Sequence, residues 1–385
     1  MERRTFSGLP LFLLCAVLAL CASFSALAEP ELTDRGIDLG TASVHWPVLT
    51  GMDDEEAQQA LNLAIRESCG IDAYTARIAS VMDADPPLTV SWEGTLRGDL
   101  LSCVIRAEGP LTGARPRFEW HTVHLDLRTG EAFPMDALFS EPEEAVEWIE
   151  AYLEEDVLPG MSAHLMNCEL TPLPDDFRIG PEGLTLYYPI ERLSTLSDRA
   201  GAVTLSWGEL AEWLDLSEGS AADRFGIAGW MSPADGAFLE SLSSGSLPGL
   251  PCALGNSMET LTAQYRLLCD PDLYDGGRYI QLEDSRFRLV YLMTDDLSEN
   301  RFDGSTLNGI RCDRFGLYGL ITGRTAREEA LETLGEPYAS VELDAGAADA
   351  MRLPEGTSDY YRCGEFRLRL HYDSGDILTS LFLLP

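Results

Sequence analysis

Asp126-Leu127-Arg128-Thr129-Gly130-Glu131 is the stretch whose reading decides the fold. It closes a run, Phe118–Leu127, in which apolar and polar residues alternate, the two-residue period of a strand with one face on a core. Gly130 supplies the positive φ that a tight turn needs. Upstream, Leu100–Ala107 and Leu88–Gly94 alternate in the same way and are joined at Gly98 and across Gly109–Pro116, so an antiparallel meander is expected. Ile37–Trp46 reads as a further strand. Asp53-Asp54-Glu55-Glu56 opens a helix with acids where the macrodipole favours them, and Ala57, Leu61, Ala64 and Ile65 follow at helical spacing. Downstream, Glu141–Val157 is a second helix with Val146, Ile149, Tyr152 and Leu153 on one face. Phe177–Ile179 and Leu184–Tyr188 make a hairpin, Val203–Leu205 a last strand and Trp207–Leu214 a closing helix.

The N-terminus reads as an export signal. Arg3 and Arg4 precede an apolar run, Leu9–Phe24, and Ala26-Leu27-Ala28 offers the small residues of a cleavage site before Glu29. Residues 1–28 are therefore expected to be a signal peptide, and the mature protein extracellular or in the cell envelope. Lipid attachment at Cys21 is the minor alternative, with Leu20 where a small residue is wanted. No later segment approaches the roughly 20 apolar residues of a membrane span.

Loss of Glu2, Arg3 and Arg4 turns the net charge of −37 into −38. That charge opposes nucleic acid and anionic lipid. It favours basic partners, although solubility is its plainer role. Every one of the 27 basic residues is arginine, so Schiff-base, P-loop and Ser-x-x-Lys chemistry are all excluded.

The seven cysteines after the signal (Cys69, Cys103, Cys168, Cys252, Cys269, Cys312 and Cys363) are widely spaced. They read as buried thiols or as bridges, a bridge fitting best in the second half. The Ser-, Gly-, Ala- and Pro-rich stretch 218–249 reads as a linker on which Trp230 and Phe238 dock. It separates a domain at 29–217 from two repeats, 250–319 and 320–385. In the repeats, Gly255-Asn256-Ser257-Met258-Glu259 and Gly323-Arg324-Thr325-Ala326-Arg327-Glu328 each open a helix. Phe287–Leu292 and Phe366–His371 follow as aromatic-rich strands. Gly304, Leu307 and Ile310 match Gly375, Leu378 and Leu381 in spacing. The expected class is α+β: an antiparallel sheet with packed helices, then two smaller helix-plus-antiparallel-sheet units.

Catalytic constellations are scarce. His121 and His124, the one close histidine pair, fall on opposite faces of a strand, and His45, His164 and His371 stand apart. No Gly-x-Ser-x-Gly elbow is present. No cofactor is expected. Asp270, Asp272 and Asp275, before Gly276-Gly277, are weak calcium candidates without EF-hand spacing. The ligand-binding candidates are aromatic: Tyr187 and Tyr188, adjacent on a strand so that one faces away from the core unless both faces are covered, and Trp120.

Asp126…Gly130-Glu131, Leu138-Phe139, Phe177, Gly183-Leu184, Tyr188 and Glu209-Leu210 stand in the order of the RsiV-like family of extracytoplasmic domains, which about residues 38–216 resemble. That family is known from a lysozyme-sensing anti-sigma factor and from the non-catalytic N-terminal part of a secreted peptidoglycan deacetylase. The resemblance implies an α+β binding domain with a basic, lysozyme-like protein or peptidoglycan as partner. The anti-sigma segment with its membrane span, and the deacetylase domain, have no counterpart here, so neither activity is carried over. The 250–385 region more loosely resembles the tandem modules of outer-membrane assembly lipoproteins and β-lactamase-inhibitory proteins, which implies interaction. The expected function is a secreted or envelope-associated, non-enzymatic binding or sensor-like protein. The alternative is an envelope glycan hydrolase using paired carboxylates.

Overall fold

A computed structural model describes residues 30–111, 117–158, 165–195, 200–231, 237–247, 250, 252–264, 272–274, 277–280, 290–294 and 304–385. The signal-peptide region and Cys21 lie outside them. The single strand expected over Ile37–Trp46 is a hairpin: Glu31–Leu39 (β1) and Ala42–Thr50 (β2) pair in continuous register and turn at Gly40-Thr41. From β2 the chain crosses over through helices Glu55–Ser68 (α1) and Ile71–Arg77 (α2) to Thr89–Arg97 (β3), parallel to β2. Leu100–Gly109 (β4), Arg117–Asp126 (β5) and Glu131–Ala132 (β6) complete an antiparallel meander, giving one six-stranded sheet in chain order.

Local chemistry explains the helical crossover. The Asp54 carboxylate accepts from the main-chain N–H groups of Glu56 and Ala57 and so caps α1. Asn62, at the middle of α1, clasps Leu49 of β2 through both its main-chain groups, at 2.7 and 2.8 Å. Leu61, Ile65, Ile71 and Ile78 then bury against Val44, Val90, Leu101 and Ile105 of the sheet. Each such side chain is worth roughly 1.5–3 kcal/mol.

The other face of β4 and β5 carries a second layer. It contains Pro142–Tyr152 (α3), continued by one π turn over Leu153–Val157, and the paired strands Leu165–Cys168 (β7) and Leu193–Thr195 (β10). Phe177–Gly180 (β8), Gly183–Tyr187 (β9) and Ala202–Leu205 (β11) form a three-stranded sheet in the order β11-β9-β8. The helix that follows, Trp207–Leu210 (α4), is shorter than the expected Trp207–Leu214. Gly183 is required where it stands: a Cβ would lie 2.1 Å from the Leu205 carbonyl oxygen. Asp126 is tied by Arg224, which also grips Asp99, and by Arg128.

Residues 218–249 are not a loose connection where they are described. Ala221–Arg224 (α5) and Ile227–Met231 (α6) send Phe225, Ile227 and Trp230 into the core of the second layer. Ala237–Ser241 (α7) sends Phe238 into the C-terminal core. The C-terminal region holds Met258–Gln264 (α8), Asp272–Tyr274 (β12), Gly277–Ile280 (β13), Val290–Thr294 (β14) and Gly309–Cys312 (β15). Then come Gly316–Leu317 (β16), Leu320–Ile321 (β17), Arg327–Leu334 (α9), Ala339–Leu343 (β18), Ala345–Met351 (α10), Gly356–Cys363 (β19), Phe366–Asp373 (β20) and Leu378–Leu384 (β21). Apart from β16 and β17, which pair with each other, the strands of both expected units share one eight-stranded sheet, β12-β13-β14-β15-β21-β20-β19-β18. The same main-chain clasp occurs at both helix entrances. Gly255 and Gly323 donate to Leu307 and Leu378 at 2.8 and 2.7 Å, and Leu307 and Leu378 donate back to Asn256 and Thr325, each at 2.9 Å. The molecule is an α+β fold, and among the described residues no helix is long and apolar enough to cross a membrane.

Ser206-Trp207-Gly208-Glu209 joins the N- and C-terminal regions. Ser206 and Glu209 close a capping box on α4. A Cβ on Gly208 would press on Ile321 at 2.5 Å, and Glu209 accepts from Arg314 at 3.0 Å and from Tyr152 at 2.5 Å. Replacing Glu209 by Gln leaves the Arg314 charge without its carboxylate. The expected cost is about 3 kcal/mol, read as a lower urea midpoint; an unchanged midpoint contradicts this account of the joint.

Candidate functional site

The structure places the aromatic candidates inside rather than outside. Tyr187 is 3% exposed and Tyr188 fully buried, because both faces of β9 are covered. Tyr187 packs with Val104 and Ala202 and lies 4.6 Å from the Trp120 ring, while the Tyr188 hydroxyl donates to the Leu170 carbonyl at 3.0 Å. Neither tyrosine offers a surface to a ligand, and Trp120 is half-buried against Tyr187. Of the calcium candidates, Asp270 and Asp275 lie outside the described residues, and only the main chain of Asp272 is placed, in β12. Among the described residues no group of three or more His, Cys, Asp or Glu side chains could hold a metal ion. Cys69, Cys103 and Cys363 are buried thiols, and burial pushes Cys69 up to about 12.

A cleft of about 670 Å³ opens where β5 turns into β6, bounded by the Met135–Leu138 turn, α3 and the loop before β8. Its size lies in the usual range of small-molecule sites. Phe133, Met135, Val146 and Leu173 give it apolar lining; Asp136, Glu150, Asp175 and Asp176 give it carboxylates; no arginine lines it. Glu150 accepts from the Leu173 N–H at 3.0 Å, and Asp176 from the Thr122 hydroxyl at 2.8 Å. Asp136 and Asp175 are exposed.

His124 is the wall residue with the most constrained chemistry. It is 7% exposed and stacks on Phe177 with ring centroids 3.7 Å apart and planes 10° from parallel. Ser102 Oγ accepts from the Ile179 N–H at 2.8 Å and lies 3.1 Å from His124 Nδ1. His124 Nε2 is buried and has no hydrogen-bond partner among the described residues. Burial pushes the ring's pKa down to about 3, only partly opposed by the Phe177 main chain. The site therefore holds a neutral imidazole beside carboxylates. A buried polar atom left unsatisfied costs roughly 1–3 kcal/mol.

The remaining histidines behave differently. His121 lies on the opposite face of β5 and meets the Tyr74 hydroxyl at 2.7 Å. His45 is held between Asp34 and Asp38 at 2.7 and 3.2 Å, and those hydrogen bonds raise its pKa. Sequence reasoning takes His124 for an ordinary strand histidine. The available signal is the polar Ser102, cross-strand from it in a β4 that is otherwise almost wholly apolar near its start.

No family model matches this sequence, and no curated protein matches it. Among solved structures, a DUF3298 family member from Bacteroides fragilis NCTC 9343 is similar at 11% identity and a TM-score of 0.38, over 52% of this chain and 98% of that one. A DUF3298 family protein from Pseudomonas aeruginosa PAO1 is similar at 11% identity and a TM-score of 0.32, over 49% and 94%. A DUF4309 family protein from Bacillus subtilis subsp. subtilis str. 168 is similar at 12% identity and a TM-score of 0.26, over 40% and 97%. Likenesses this low leave the function to be read from the residues themselves.

The buried neutral ring has a consequence for stability. In the unfolded chain His124 binds a proton below about pH 6.5, whereas the folded state keeps it neutral down to about 3. Its contribution to stability is thus undiminished above pH 6.5 and falls as the pH drops towards 3. Urea unfolding between pH 6.5 and 4 should show the wild type losing up to about 1.4 kcal/mol per pH unit more than His124→Phe. Parallel profiles contradict the buried neutral state.

Proposed function

We propose that this chain is an exported, envelope-associated or secreted binding protein without enzymatic activity, and that its ligand enters the His124 cleft. The observation that carries the reading is the cleft itself: four carboxylates, apolar lining, no arginine, and a buried neutral histidine in its wall. The export signal at residues 1–28 and the RsiV-like order of phrases across about residues 38–216 support the envelope setting. They make a basic, lysozyme-like protein or peptidoglycan the partner to try first. Residues 250–319 and 320–385 are read as two copies of one unit, supported by the matching clasps at Gly255 and Gly323. The C-terminal region then serves as a second interaction module.

The mature protein, immobilised and presented with lysozyme or with peptidoglycan sacculi at low salt, is expected to retain one of them. The double variant Asp136→Asn, Asp175→Asn, both at exposed positions, should lose most of that retention without unfolding, and no new reducing ends should appear in the sacculi. Retention of neither, or retention indifferent to the double variant, contradicts the proposal. Release of reducing ends supports the hydrolase instead.

A further inference from the structure

We propose that His45, Asp34 and Asp38 form a protonation-dependent clamp, which holds the N-terminal strand β1 on the edge of the six-stranded sheet and loosens when the imidazole gives up its charge. The geometry comes first. His45 of β2 stands opposite Gly36 of β1, and its ring takes the space that a Cβ at position 36 would need, 2.5 Å away. Any larger residue there would push the ring aside. Lying across β1 in this way, the imidazole reaches carboxylates two residues to either side of Gly36. Nδ1 stands 2.7 Å from Asp34 Oδ2, and Nε2 stands 3.2 Å from Asp38 Oδ1. The other Asp34 oxygen accepts from the Trp92 indole N–H of β3 at 2.7 Å, so the clamp ties three strands together.

Ionised carboxylates only accept, so both contacts are hydrogen bonds only while both ring nitrogens carry protons. The neutral ring has a single N–H and gives up one of the two. Asp34 and Asp38, both on β1, are the charged groups that act on the ring. From β3 the site receives Trp92, which does not titrate, and Arg35 of β1 lies over the Trp46 ring instead. Little else fastens β1 beyond its ladder with β2. Seven of its nine residues are exposed, and only Leu32 and Leu39 pack on the core. The hydrogen bonds to Asp34 and Asp38 raise the His45 pKa. A histidine raised in the folded state contributes stability that is complete below about pH 6.5 and is lost as the pH climbs through the folded value. β1 is therefore held more firmly in mildly acidic than in alkaline surroundings, and the buried strand β4 is indifferent.

The test is amide hydrogen exchange of the full mature chain at pH 6 and pH 9, with each rate divided by its intrinsic rate at that pH. Protection of the hydrogen-bonded β1 amides should fall about threefold or more between the two, the scale of exposed ion pairs, while β4 amides keep theirs. His45→Gln, which cannot be charged, should show the lower β1 protection at both pH values. Should His45→Gln fail to fold, Asp38→Asn, at an exposed position, decides in its place: it should shrink the pH-dependent fall and lower the His45 pKa in a proton NMR titration. Equal β1 protection of the wild type at pH 6 and pH 9 overturns the clamp. So does an undiminished fall in His45→Gln, or a His45 pKa unmoved by Asp38→Asn.

Discussion

The Ser102 hydroxyl is the constraint on which the N-terminal half depends. The three-stranded sheet is packed on the six-stranded one with β8 as its edge strand, so the Ile179 N–H has no partner within its own sheet. A buried donor of that kind must be satisfied. Ser102, pointing from β4 towards β8, accepts from it and lies 3.1 Å from His124 Nδ1. One side chain thereby docks two sheets and contacts the ring that stacks on Phe177. The cleft follows from how the sheets are joined.

Charge is distributed with the same economy. In a chain of net charge −37, arginines are spent on acids at structural joints: Arg224 on Asp99 and Asp126, Arg327 on Asp359, Arg314 on Glu209. The Arg224 guanidinium holds Asp126 well below the usual carboxylate range. The planar fork of arginine suits such two-pronged contacts better than lysine does. The acids around the cleft have no arginine among the lining residues, and this uncompensated charge distinguishes the cleft from the joints.

Much of the architecture was legible in the chain. The meander expected at Leu88–Gly94, Leu100–Ala107 and Phe118–Leu127 is found at Thr89–Arg97, Leu100–Gly109 and Arg117–Asp126 because each strand keeps a two-residue period. Turn residues inside a continuous alternation mislead, as Gly40-Thr41 does between β1 and β2. Composition misleads over 218–249, where small residues surround the aromatics that stitch two cores together. The candidate site was the least legible part. Whether Tyr187 and Tyr188 are exposed depends on what covers the second face of β9, a long-range fact that no local pattern encodes. His124 acquires its role only from Ser102 and Phe177, which lie 22 and 53 positions away in sequence.

The central claim is that burial against Phe177 and Ser102 keeps His124 a neutral imidazole. Long-range nitrogen–proton correlation spectroscopy on uniformly labelled protein at about pH 5 reads this directly. The account predicts a single protonated ring nitrogen on His124 at that pH, where an imidazole of ordinary pKa carries two. Two protonated nitrogens would contradict it.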